Sequence, residues 1–175
     1  MINRIKSVAD SFLLIKTALK TSKKFNVGEY TGEFKAIDLS FLTDAQKGII
    51  ISDANRIVNK EYQIYNYPTY TTLNWQLDPV SGEIIKKAPC TALIKTSSLI
   101  NKADVKNWWE QSHLSCVLTL AQAYYLSHQD AYAQECVRII IDFSENNPVG
   151  KTVSWKCHMD SAIRLANIVE AVGLI

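Results

Sequence analysis

The sequence predicts an all-α fold, on three observations. Apolar residues recur at spacings of three and four in much of the chain, and that signal runs from Asp104 almost without interruption to Ile175. The turn-forming residues gather in one stretch instead of punctuating a series of short strands. At 175 residues, with 47% hydrophobic and 21% charged, the chain is long enough for one ordinary core and is not composed like a disordered protein. A single helical domain over residues 1–175 is the expectation.

Ile5, Val8, Phe12, Ile15 and Leu19, with charged residues between them, predict an amphipathic helix over residues 4–24. Gly28 and Gly32 end that pattern, and residues 34–42 read as an extended connector. Thr43 followed three residues later by Gln46 is a capping-box pattern. Asp44 then falls in a first turn, where the helix dipole favours a carboxylate, and the helix should run to about Asn59. Beyond it, Tyr62, Tyr65, Tyr67, Tyr70 and Trp75 crowd among Pro68, Pro79, Gly82 and Pro89, which predicts one long, ordered, aromatic-rich loop packed on the helices.

A helix from Asp104 to about Ser127 is largely apolar after Leu114, as expected of a helix enclosed by neighbours. The next, Asp130 to about Asn146, reads as amphipathic. Gln134, Glu135, Arg138, Asp142 and Glu145 lie on its polar face, and Ala133, Val137, Ile140, Ile141 and Ser144 on the other. Pro148 and Gly150 stop it. Thr152 or Ser154 can cap a last helix that reaches Ile175 without a terminator, and the apolar Val172-to-Ile175 end reads as an interrupted element.

The formal net charge is +2, and Lys and Arg are scattered apart from Lys20, Lys23 and Lys24, so there is no electrostatic footprint for nucleic acid. No stretch approaches the roughly 20 apolar residues that span a bilayer, so no membrane partner is expected. The apolar run Phe12 to Ile15 is cut by Lys16 and lacks a small-residue cleavage site. As written the chain reads as cytoplasmic, and as periplasmic or secreted if a leader was removed. Cys90, Cys116, Cys136 and Cys157 show no CxxC spacing and read as reduced thiols. Cys157 and His158 diverge by about 100 degrees on a helix, so neither a metal nor a cofactor is expected.

Three clusters carry a resemblance. The first is Asn74, Trp75, Gln76, Leu77, Asp78, Pro79, Val80, Ser81, Gly82. The second is Asp104, Val105, Lys106, then Trp109, Glu110, Gln111, Ser112, then Leu118 to Tyr124 and, further on, Tyr132 and Ala133. The third is Asn147, Pro148, Val149, Gly150, then Trp155, Met159, Asp160, Ala162, Arg164 and Asn167. In this order they resemble the amino-terminal domain of the heparinase II/III and alginate lyase-like polysaccharide lyases. That family's pattern has Trp-His-x-Asp-Pro with a following Ser-Gly, Trp-Glu-x-Ser-Arg, and Asn-Trp before a helix carrying Met-Glu and Ala-x-Arg. The resemblance implies a partial (α/α) toroid of paired helices around a cleft, followed in the intact family by a β-rich domain, and β-elimination of acidic, uronate-containing polysaccharides. The chain departs from the pattern at Gln76 (His in the family), His113 (Arg), Cys116 (His), Ser154 (Asn) and Asp160 (Glu).

β-Elimination needs a group that neutralises the sugar carboxylate, a base for the α-proton and an acid for the leaving oxygen. The resemblance implies that an Asn, a Tyr and a His fill those roles and that they lie past Ile175, so no catalytic residue is assigned in this chain. An unperturbed Tyr titrates near about 10 and needs adjacent positive charge to serve as a base, and no local constellation provides it. Trp75, Asp78, Trp109, Glu110, His113, Ser154 and Trp155 are the candidate substrate-binding residues. Trp109, His113, Cys116 and Leu120 would share one helix face, bordering the cleft or packed in a helix interface. Asp78 before Pro79 equally suits the start of a turn. Lys156, Asp160 and Arg164 stand at successive fours, and the resemblance implies that Asp160 and Arg164 point inward as structural residues. An acidic polysaccharide is the expected partner, either for a lyase portion inactive alone or for a non-catalytic binding module with Trp75, Trp109 and Trp155 as stacking platforms. A helical interaction module, self-associating through an uncovered face near Leu174 and Ile175, is the remaining alternative.

Overall fold

The computed structural model describes residues 39–85, 87 and 103–175; the helix expected over residues 4–24, most of the connector after it, and Cys90 lie outside them. The described part is all-α, with no strand among its residues. Helix α1 (Asp44–Val58) starts at the expected capping box: Thr43 Oγ1 accepts from the Gln46 amide at 3.3 Å, and Gln46 Oε1 accepts from the Thr43 amide at 2.9 Å. Helix α2 (Val105–Ser112) is capped by Asp104, whose carboxylate accepts from the Lys106 amide. Helices α3 (Ser115–Ser127), α4 (Asp130–Asn146) and α5 (His158–Leu174) follow, with a 3-10 turn at Val153–Trp155 before the last. The final helix therefore has Cys157 in its N-cap position, later than the Thr152 or Ser154 cap expected from the sequence.

Helix α3 is the hub, packed against α1, α4 and α5. Val117, Leu120, Ala121 and Ala123 on it are fully buried, as its apolar composition demands. Burial of each Val or Leu side chain there contributes about 1.5–3 kcal/mol. A second, smaller core joins Ile85 of the loop, Trp108 of α2 and Val153 of the 3-10 turn. The aromatic loop is held by two isolated antiparallel bridges, Tyr62 to Tyr70 and Leu77 to Ile84. None of the described helices is long and apolar enough to cross a membrane.

The single helix expected over residues 104–127 is two. The chain breaks at Leu114, which adopts the left-handed conformation (φ 58°) although it is neither Gly nor Asn, at a cost of roughly 1–2 kcal/mol. The compensation comes from α5. Arg164 Nη1 donates to the Ser112 carbonyl at 2.9 Å and Asn167 Nδ2 to the His113 carbonyl at 2.9 Å, two acceptors at the broken helix end. Leu114 itself is completely buried. Trp109 and Leu120 consequently do not share one continuous helical face.

The buried face of α4 is also turned from the expected one. Tyr132, Glu135, Cys136, Ile139 and Phe143 point inward. Glu135, read as polar-face, is buried because three partners meet it: Lys60 Nζ, Arg138 through Nε (2.8 Å) and Nη2 (2.7 Å), and the Tyr62 hydroxyl at 3.5 Å. Burial pushes its pKa up, but the hydrogen bonds from Arg138 and Lys60 outweigh burial and hold it below the usual carboxylate range. A folded pKa below the unfolded one gives stability that is present above the unfolded value and lost as pH falls through the folded value. Acid titration of stability should therefore show a loss beginning below about pH 4.5 that Glu135→Gln flattens.

The three described cysteines, Cys116, Cys136 and Cys157, are free thiols. Burial pushes the Cys136 thiol up to about 12, so it is inert at neutral pH. Among the described residues no three His, Cys, Asp or Glu side chains converge as a metal site would require.

Candidate functional site

The candidate residues from the sequence come together, but mostly inside the protein. Trp75 is 3% exposed; its Nε1 donates to Asp142 Oδ2 at 2.7 Å, and its ring meets Phe143 edge-on at 5.1 Å. Asp78 is fully buried and organises its own turn. It accepts from the Val80 amide (2.9 Å), from Ser81 Oγ (2.7 Å) and from Asn107 Nδ2 of α2 (3.2 Å). Trp109 is half-buried and donates to the Val153 carbonyl, and Trp155 donates to the Asn147 carbonyl at 2.9 Å. Ser154 is fully buried, its carbonyl accepting from Arg164 Nη2 at 3.0 Å.

Arg164, 2% exposed, closes this network. Its guanidinium bonds the Ser112 and Ser154 carbonyls and Ser161 Oγ, and lies over the rings of Phe143 (4.7 Å) and Trp155 (4.5 Å). Burial pulls its pKa down to about 10, which leaves it protonated at neutral pH. Three acceptors from separate positions in the chain meet on one fork of donors, which a Lys could not span. His113 stands between two carboxylates: Nε2 lies 2.6 Å from Asp160 Oδ1 and Nδ1 3.3 Å from Glu110 Oε2. The side chain of Asp160 is only 3% exposed. Thus the indole N–H groups of Trp75, Trp109 and Trp155 all serve protein acceptors, and Glu110 alone of the expected binding residues lines an open cleft.

That cleft, about 250 Å³, lies between α1, the aromatic loop and the α2–α3 junction. Tyr65 and Tyr70 of the loop, Arg56 of α1, and Glu110, Gln111 and Cys116 contribute to its wall. Tyr65 is 55% exposed and held at φ 48°, a left-handed conformation uncommon for a ring-bearing residue and often found at functional sites. Burial, together with the nearby Glu110 carboxylate, raises its pKa. Burial raises the pKa of the Tyr70 phenol strongly. Gln111 is 6% exposed, and its Oε1 has no hydrogen-bond partner. Leaving such an acceptor unsatisfied costs about 1–3 kcal/mol. The sequence signalled this site only through its crowd of tyrosines, because the partnering of Tyr65 and Tyr70 with α2 depends on how the loop folds back.

At the carboxy-terminal end Leu174 is 6% exposed and Ile175 37%, while Met159 and Ile163, four residues apart on α5, are the more exposed apolar pair. Compared with protein-family models, with curated proteins and with solved structures, the chain gives no match.

Proposed function

We propose that this chain forms the first helices of an (α/α) toroid, the cleft-bearing amino-terminal portion of a polysaccharide lyase-like protein, and that it holds an acidic, uronate-containing polysaccharide without cleaving it alone. The observation that carries the reading is that the three resembling clusters, up to about ninety residues apart, bond to one another. Asp78 meets Asn107, Gln76 Nε2 donates to Asn147 Oδ1 at 3.2 Å, Trp109 meets Val153, and Arg164 meets Ser112. Two departures from the family pattern also fall on one contact. His113 replaces Arg and Asp160 replaces Glu, and these two side chains are 2.6 Å apart. That two departures fall on one close polar contact supports a shared framework over a chance match of scattered residues.

The tyrosines around the cleft are poorly suited to act as a base. Burial raises the phenols of Tyr62, Tyr65 and Tyr70, so each stays protonated at neutral pH. The test is incubation of the purified chain with heparan sulfate and with alginate, following near-ultraviolet absorbance of the unsaturated uronate product and, separately, binding by calorimetry. Binding without a rise in absorbance is expected. A rise would overturn the inactive assignment, and no binding to either glycan would overturn the carbohydrate reading. A non-catalytic binding module is the second reading, favoured by the exposed Tyr65 ring, in place of the expected tryptophan platforms.

A further inference from the structure

A second, open cavity of about 330 Å³ lies where the end of α1, the aromatic loop and α4 meet. Two cations in its wall, Lys60 and Arg138, share the Glu135 carboxylate, Lys60 through Nζ and Arg138 through Nε and Nη2. That sharing leaves donors over. Arg138 Nη1 has no acceptor among the described residues, and Lys60 Nζ, with three N–H groups, has Glu135 alone. The Thr71 and Thr72 hydroxyls line the same cavity, are exposed, and have no hydrogen-bond partner among the described residues. A point cation, one arm of a guanidinium and two hydroxyls suit an occupant that carries several oxygens on one centre.

One acceptor belongs to the same wall and narrows the choice of anion. Asp142 Oδ2 takes the Trp75 indole and Oδ1 takes Asn146 Nδ2, so each oxygen has a lone pair to spare. A fully ionised oxyanion is repelled by that carboxylate, whereas an oxyanion that retains an O–H can donate to it.

We infer that this cavity binds a free hydrogen phosphate ion, with Lys60, Arg138 Nη1 and the two threonine hydroxyls donating to its oxygens and its own O–H donating to Asp142. The inference does not rest on the carbohydrate reading, because sulfate and uronate groups are fully ionised at neutral pH and bring no proton for Asp142. Phosphate esters are set apart too: their second ionisation near about 6 leaves them without an O–H above neutrality, while the free ion keeps one.

The test is calorimetric titration of the full chain with inorganic phosphate, sulfate and glycerol phosphate at about pH 8 and physiological ionic strength, where long-range attraction is screened. Inorganic phosphate is expected to bind at least about tenfold more tightly than either of the others. Asp142→Asn keeps an oxygen for the Trp75 indole, removes the repelling charge, and should bring sulfate to within about twofold of phosphate. Thr71→Val with Thr72→Val should weaken phosphate by about tenfold at an unchanged unfolding midpoint, since both side chains are exposed. The threonine pair keeps the test decisive if Asp142→Asn folds poorly. Sulfate binding as tightly as phosphate to the unsubstituted chain, glycerol phosphate binding more tightly than the free ion, or no phosphate binding at millimolar concentration overturns the assignment.

Discussion

Arg164→Met should lower the unfolding free energy by about 3–5 kcal/mol, seen as a fall in the denaturant midpoint. Three separate losses combine. The Ser112 and Ser154 carbonyls lose their guanidinium donors, and a buried orphaned acceptor costs about 1–3 kcal/mol. The cation stacked on Phe143 and Trp155 disappears. The helix break at Leu114 also loses part of what offsets its left-handed backbone. Arg164→Lys should recover little of this, because an ammonium is a point donor and the two carbonyls lie on different segments. If Arg164→Lys behaved like the unsubstituted chain, the bridging role of the guanidinium would be wrong.

His113→Ala should cost about 3 kcal/mol, since it leaves the buried Asp160 carboxylate without its 2.6 Å partner. More telling is the paired exchange to the residues of the resembling family. His113→Arg alone brings a longer cation into a space sized for imidazole, and Asp160→Glu alone pushes an extra methylene toward it. Together they should restore the pairing, with a favourable coupling of at least about 1 kcal/mol in a double-mutant cycle. Simple additivity of the two single effects would mean that the contact is incidental and that these departures are unrelated.

The sequence carried the local parts of the fold well. Capping at Thr43 and the start and end of α4 depend on residues next to one another in the chain, and they occur where the pattern puts them. The break at Leu114 was not legible, because no Gly or Pro marks it and the donors that satisfy it, on Arg164 and Asn167, come from about fifty residues away. Glu135 differs from its sequence expectation for a related reason: a carboxylate in an amphipathic pattern belongs on the wet face unless cations arrive from elsewhere, and Lys60 comes from just past the end of α1. At the candidate site the sequence leaves cleft-bordering and packed positions equally open, and the structure packs Trp75, Asp78 and Ser154 inside. Tryptophans in a glycan-binding context suggest stacking, but a Trp whose N–H finds an internal acceptor is equally at home in a core. Residue type alone does not separate the two uses.

The most direct measurement is an amide and indole chemical-shift titration of the labelled chain with a heparan sulfate tetrasaccharide. Shifts should concentrate at Tyr65, Glu110 and Gln111, around the cleft, and the indole signals of Trp75 and Trp155 should stay in place because their N–H groups serve Asp142 and the Asn147 carbonyl. Large shifts of those two indoles, with Tyr65 and Gln111 unmoved, would contradict binding at the cleft and return the binding surface to the tryptophans.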